Sequence, residues 1–341
     1  MKSLLNRIAI CLLFTVAFVG PGRAKPAKSL RIFFIDVEGG QSTLIVTPEK
    51  HSLLIDAGWA GDRDADRIKS AADLAGIKRI DYLVITHYHG DHVGGVSAVA
   101  DRIPIGTFID HGPDIEDSDA AKALYAVYEK VTSKGKHAVV KPADGLPFKD
   151  IQVEFLAAAG DHLHDPLPGA GEANPYCGEI KDVPADASEN SQSLVLLVTY
   201  GKFRFLDMGD LTEGKSLDLV CPNNLIGTAD LFLTAHHGMA PDNHKALVWA
   251  VHPLVVIMNN GAHKGGSPES WQVIHDQPGL QGFWQLHYAD DAGADHNVAD
   301  DLIANTSDSS DGHFIEVHAY PDGTFEVTNS RNHRVQQYPM K

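Results

Sequence analysis

The chain has 341 residues, 43% hydrophobic and 21% charged, a balance that argues against a disordered or fibrous protein and allows a large buried core. Its 45 acids against 28 Lys and Arg leave a formal charge of −17. Such acidity argues against a broad nucleic-acid-binding surface, which carries net positive charge, but not against a small anion held by metal.

Lys2 and Arg7 precede an apolar run from Ile8 to Val19, followed by Gly20, Pro21, Gly22 and Ala24. A basic head, a short apolar stretch and a small-residue exit predict a secretory signal peptide over residues 1–24, with an uncleaved anchor as the alternative. Its cleavage removes Lys2, Arg7 and Arg23 and no acid, leaving about −20. The expected product is a secreted or periplasmic protein, a single domain over residues 25–341 with no membrane contact. Cys177 and Cys221 then remain, and a disulfide or two buried thiols fit the sequence equally well.

LRIFFID (30–36), STLIVT (42–47) and SLLIDA (52–57) read as strands separated by turn-rich EGGQ and PEKH. Residues 62–76 suit an amphipathic helix, with Ile68, Ala71, Ala72 and Leu74 on one side. IDYLVIT (80–86) is a nearly continuous apolar strand of the kind buried on both faces, and residues 117–134 are again helical. After a polar stretch from 160 to 190, SLVLLVTYG (193–201) and KFRFLDM (202–208) form a predicted hairpin around Tyr200-Gly201-Lys202. DLFLTA (230–235) and PLVVIMN (253–259) are further buried strands, each with a helix after it. HFIEVHAY (313–320) and TFEVTNS (324–330) form a hairpin turning at Pro321-Asp322-Gly323. Hairpins followed by strands interleaved with helices predict mixed α/β sheets covered by helices.

The chemistry concentrates where buried strands end. Directly after IDYLVIT comes THYHGDHVGG, with His87, His89, Asp91 and His92 within six residues. Imidazole and carboxylate are natural ligands for zinc and similar ions, and a tight turn clusters them before metal arrives. His87 and His89 can face one ion while Asp91 and His92 face a second. Gly90, Gly94 and Gly95 let the backbone bend sharply.

This pattern resembles the metallo-β-lactamase superfamily, which implies a four-layer αββα sandwich with a dinuclear metal site at one edge. LLIDAG (53–58) resembles its first motif, implying that Asp56 orients the metal loop rather than binding metal. FLDMGD (205–210) resembles the motif whose aspartate bridges the metals, a role given to Asp210, with Asp207 as the rival. LTAHHG (233–238) resembles the closing motif, in which His236 or His237 is the ligand. Within the superfamily, FFIDVEGGQSTLIVTPEKHSLLIDAG (33–58) looks like the opening of the ComEC competence family, roughly FLDVGQGDS, strand, LIDTG. Asn190 and Ser193 in ENSQSLVLLVTYGKFRFLDMGDL hold matching positions, and PLVVIMNNGAHKGGSPE completes the likeness. EGGQS departs from that family's pattern and lacks its acidic residue. Many superfamily enzymes also place a histidine between the loop and the bridging aspartate. His162 and His164 are the candidates here, with a solvated loop as the other reading.

Two divalent ions, zinc or alternatively manganese, would lower the pKa of a shared water and polarise the oxygen it attacks. Asp91 would orient the nucleophile, Asp210 would fix the metal separation, and His263 or Lys264 would serve the leaving group. His287 and His296 lie in a second polar loop, outside the expected ligand set, and Trp271 and Trp284 read as core or pocket wall. The expected partner is a small or short anionic ester such as a phosphodiester. The alternatives are a lactam or lactone hydrolase and a non-catalytic exported metal-binding protein.

Overall fold

Short runs of β-branched residues, each too brief to be a helix and each ended by Gly, Pro or Asn, become strands. In the computed structural model, residues 28–179, 183–306 and 311–341 are described; the expected signal peptide lies outside the described residues. The first strands are β1 (Leu30–Phe34), β2 (Thr43–Val46), β3 (Ser52–Ile55), β4 (Ile80–Val84), β5 (Ile105–Asp110) and β6 (Lys136–Val139). The chain then crosses to a second sheet. It lays down β7 (Gly145–Leu146), β8 (Gln152–Ala158), β9 (Asp161–His162), β10 (Val195–Tyr200), β11 (Phe203–Asp207), β12 (Leu231–Leu233), β13 (Val255–Met258), β14 (Gly282–His287) and β15 (Ile303–Asn305). It returns with β16 (Ile315–Ala319), β17 (Phe325–Asn329) and β18 (Val335–Tyr338), which extend the first sheet beside β1.

Within each sheet the hairpins are antiparallel and the strands separated by helices are parallel. Strands β3, β4, β5 and β6 run parallel in the first sheet, and β11 through β15 in the second. This follows from connection length: a two-residue loop returns a strand antiparallel, whereas a helical crossover brings it back parallel. The predicted hairpin at Gly201-Lys202 forms with Tyr200 opposite Phe203, and Gly201 takes φ +61° to close it.

Helices α1 (Asp62–Ala75), α2 (Gly90–Val93), α3 (Val96–Arg102) and α4 (Asp119–Thr132) accompany the first sheet, and α5 (Glu213–Val220), α6 (Lys245–Val251) and α7 (Pro268–His275) the second. The predicted helix over 62–76 stops one residue early, because Gly76 leaves the helix at φ +75°. The helix expected over 117–134 starts where the Ser118 hydroxyl caps the amide of Ala121.

Three buried apolar layers follow. Phe34, Phe155, Phe203, Phe205 and Trp284 lie among the core between the sheets. Ile68, Ala72 and Val99 pack with residues such as Leu54 and Leu83 of the first sheet, and Leu219, Leu247 and Ile274 with the second. This is the four-layer αββα arrangement of the metallo-β-lactamase fold. No helix among the described residues is long and apolar enough to cross a membrane. Cys177 and Cys221 form a disulfide, so the reading of two free thiols is corrected. The fold matters for function because the parallel strands β3, β4, β11, β12 and β13 all end on the same edge. Loops at such strand ends are where ligands collect.

Candidate metal centre

Asp56, immediately after β3, is fully buried at φ +59°. Its Oδ1 accepts the Thr86 amide at 2.8 Å, and its Oδ2 accepts the Thr86 hydroxyl at 2.7 Å. Oδ2 also lies 2.7 Å from His92 Nδ1, which donates to it. A histidine whose Nδ1 proton is held by a carboxylate presents a free, more basic Nε2. Asp56 thus acts on the loop after β4, as the first motif implies, and does not enter the cluster of ligand atoms. Glycine is required beneath that loop: a Cβ at Gly95 would fall 2.0 Å from the Ala57 oxygen.

His92 Nε2 points to Asp210 Oδ2 at 3.2 Å, Asp91 Oδ2 at 3.4 Å and His237 Nε2 at 3.2 Å. His237 Nε2 lies 3.1 Å from Asp91 Oδ2 and 3.2 Å from Asp210 Oδ2. All four residues are buried, and one ligand atom from each lies within 4.8 Å of the others. Two imidazoles and two carboxylates converging so closely, far from solvent, fit a divalent metal site. The charges of these side chains answer one another. Burial alone would raise the carboxyls of Asp91 and Asp210, but the adjacent His92 and His237 hold both well below the usual range. Burial likewise opposes the charged form of His92, yet Asp210, Asp91 and Asp56 hold it well above its ordinary value.

Next to this cluster, His87 Nε2 lies 3.9 Å from Asp210 Oδ2. This nitrogen and Asp210 Oδ1 are buried without hydrogen-bond partners, a costly state unless something else satisfies them. Burial, then the neighbouring His92, pushes the His87 imidazole well below its ordinary pKa, so it is neutral and competent to ligate. The His89 ring packs 4.7 Å from that of His87, and its Nε2 rests 3.2 Å from Glu116 Oε1.

The structure separates several alternatives. Asp207, the rival to Asp210, lies at the end of β11 beneath the loop rather than in the cluster. Gln41 Nε2 donates to both its oxygens at 3.0 and 3.1 Å, and burial pushes its carboxyl up to about 7. Gln41 belongs to the divergent EGGQS segment, so the departure in that motif is answered by a contact to Asp207. His236 and His237 both have left-handed backbones, φ +48° and +54°, which aim consecutive rings differently. His237 enters the four-residue cluster, whereas His236 stands just outside it. Its Nδ1 is 2.6 Å from Asp242 Oδ2 and its Nε2 is 3.6 Å from Asp210 Oδ2.

His263 stands outside the four-residue cluster. Its exposed ring faces Asp291 at 3.4 Å and Asp290 at 3.8 Å. The neighbouring Lys264 reaches inward instead and pairs with Asp91. His162 and His164 lie together at the β8–β9 turn, where His164 faces Asp161, outside the cluster. His287 Nε2 is 2.5 Å from the buried Asp36, and His296 packs edge-on against Trp271. Trp284 is core, its indole donating to the Tyr338 hydroxyl at 2.9 Å.

Sequence reasoning did not single out Glu116, Asp242 or Asn259, whose amide lies 3.2 Å from His237 Nδ1. Nor did it find Glu189, which accepts the Tyr88 amide at 3.1 Å and His111 Nε2 at 2.8 Å. Glu189 directly precedes Asn190, so the match at Asn190 was the one signal pointing near it.

A sequence model of the metallo-beta-lactamase superfamily matches residues 35–179, which carry Asp56 and the whole His87–His92 loop. Over these residues the chain is similar to the metallo-beta-lactamase superfamily. The cluster of Asp91, His92, Asp210 and His237 fits the metal site that this similarity leads one to expect. Competence protein ComA of Neisseria gonorrhoeae is 26% identical over 242 residues, 70% of this chain and 28% of that protein. ComE operon protein 3 of Bacillus subtilis is 24% identical over 188 residues, 54% of this chain. The chain spans only 20% of the length of that second relative. Among solved structures, the metallo-beta-lactamase fold protein YhfI from Bacillus subtilis aligns at TM-score 0.45 and 12% identity. That alignment covers 75% of this chain and 95% of YhfI.

Proposed function

We propose that this chain is an exported dinuclear hydrolase of a phosphodiester or similar anionic ester. One observation carries the dinuclear reading: Asp210 Oδ2 lies 3.2 Å from His92 and His237 and 3.9 Å from His87, while its Oδ1 and the His87 Nε2 are both buried and unpaired. Asp91, His92, Asp210 and His237 would hold one ion, and His87, His89 and Asp210 a second. The absence of thiolate ligands suits zinc and manganese alike. Ions held there would activate a water as nucleophile and polarise the oxygen it attacks.

The chain's own residues set the geometry. Asp56 keeps the His92 proton on Nδ1, and Asp242 holds Nδ1 of His236, leaving its Nε2 toward Asp210 at the edge of the centre. Glu116 must release His89 for that ring to turn inward. The likeness to competence proteins favours a phosphodiester over a lactam or lactone. The Cys177–Cys221 disulfide supports an oxidising compartment, in keeping with the signal-like N-terminus.

The test is a metal-loaded preparation assayed on bis(p-nitrophenyl) phosphate, nitrocefin and a homoserine lactone, with Asp210→Ala as the control. Phosphodiester cleavage well above the control is the expected result. Cleavage of nitrocefin or the lactone alone would move the protein to the second class. A metal content below about two ions per chain in a metal-replete sample would remove the dinuclear reading.

A further inference from the structure

We propose that Lys264 is the substrate-anion residue of this site, held against Asp91 in the metal-free protein and freed when metal takes that carboxylate. The second half of this proposal rests on the anionic-ester reading above; the first half does not.

The Lys264 ammonium contacts Asp91 Oδ2, the same oxygen that His237 Nε2 approaches at 3.1 Å and His92 Nε2 at 3.4 Å. A divalent ion held by these three atoms would stand beside the ammonium and repel it, and the flexible lysine stem is the part free to withdraw. Lys264 is therefore a countercharge to Asp91 with which a bound ion would compete.

The backbone around Lys264 leaves little freedom for anything except the side chain to move. Gly261 donates its amide to the Lys264 carbonyl at 2.8 Å, and Gly266 donates to the His237 carbonyl at 2.9 Å. A Cβ at Gly265 would fall 2.2 Å from that His237 oxygen, and one at Gly39 would fall 2.8 Å from the Lys264 Cβ. The glycines of GAHKGG and EGGQ thus lock this loop against the metal-binding loops on both sides. The four-carbon stem of Lys264 supplies the reach.

Where the ammonium goes is set by Trp59. Lys264 Nζ lies 4.9 Å from the centroid of that half-exposed indole, while its own side chain is one-third exposed. A cation released from Asp91 stays over the ring face at the entrance to the centre. There a compact charge with three N–H donors suits the non-bridging oxygens of a phosphoryl group.

The test compares wild type with Lys264→Met and Lys264→Gln. Affinity for Co²⁺ is measured by chelator competition and by the visible spectrum of the bound ion. Both variants should bind Co²⁺ more tightly, roughly five- to tenfold, because a competing charge is gone. In the loaded enzyme they should raise KM for bis(p-nitrophenyl) phosphate more than they lower kcat, with Lys264→Arg recovering part of the loss. Unchanged or weaker Co²⁺ binding in both variants would overturn the displacement, and would make Lys264 a residue that merely orients Asp91. Tighter binding with an unchanged KM would overturn the substrate role. If wild type cleaves no phosphodiester at all, the anionic-ester reading and the substrate role fall, and the Co²⁺ result still decides displacement.

Discussion

Replacing Asp56 by Asn changes one atom of a fully buried residue and tests how the metal loop is organised. The amide oxygen can keep the Thr86 amide, now 2.8 Å from Oδ1. The Thr86 hydroxyl, 2.7 Å from Oδ2, can re-aim toward His87 Nδ1, 3.2 Å away. What cannot be rebuilt is the bond from His92 Nδ1, where an amide NH₂ would face a donor N–H. One charge-assisted hydrogen bond is lost, about 1.5–3 kcal/mol. The alternative is that His92 shifts its proton to Nε2, which saves the bond and removes the metal ligand. Asp56→Asn should therefore lower the stability of the metal-free protein by about 2 kcal/mol in urea denaturation. It should also weaken Zn²⁺ binding by about ten- to a hundredfold in chelator competition. Wild-type Zn²⁺ affinity in a folded Asp56→Asn protein would refute the assignment, because the carboxylate would then be irrelevant to the His92 tautomer.

Three further outcomes follow from the geometry. Asp210→Asn should halve the bound metal, measured by elemental analysis, and reduce turnover by at least about a hundredfold, since it removes the carboxylate that both His92 and His87 face. His263→Ala should change kcat/KM by less than about twofold, because its ring faces Asp290 and Asp291 at the surface; a larger loss would return it to the centre. His244 caps α6 through Nδ1, which accepts the Leu247 amide, and burial pushes its pKa from 6.5 down to about 4. Between those values the unfolded chain binds a proton that the folded one does not. Stability should thus fall as pH drops from about 6.5 to 4, by up to about 3 kcal/mol from this group. His244→Asn, which keeps a capping oxygen, should flatten that part of the urea midpoint against pH profile.

The metal loop was legible in the sequence because its ligands are local. His87, His89, Asp91 and His92 occupy one turn after one apolar strand, so no long-range information is needed to place them together. The β10–β11 hairpin and helices α1 and α4 were legible for a similar reason, since periodicity, Gly201, Ser118 and Gly76 act over a few residues. Strands such as β5, β14 and β15 carry less distinct patterns, and their place follows from parallel pairing with distant neighbours.

Three of the choices left open in the sequence were between near neighbours: Asp207 or Asp210, His236 or His237, His263 or Lys264. A one-residue difference decides which way a side chain points, and that depends on backbone turns such as Gly209 at φ +52° and the left-handed His236-His237 pair. It depends also on partners far along the chain: Gln41 claims Asp207, Asp242 claims His236, and Asp91 claims Lys264. By itself the sequence determined that metal chemistry gathers after the fourth strand. Only the stacking of two sheets, with their parallel strands ending on one edge, decided which atoms meet there, because burial and charge are properties of the assembled neighbourhood.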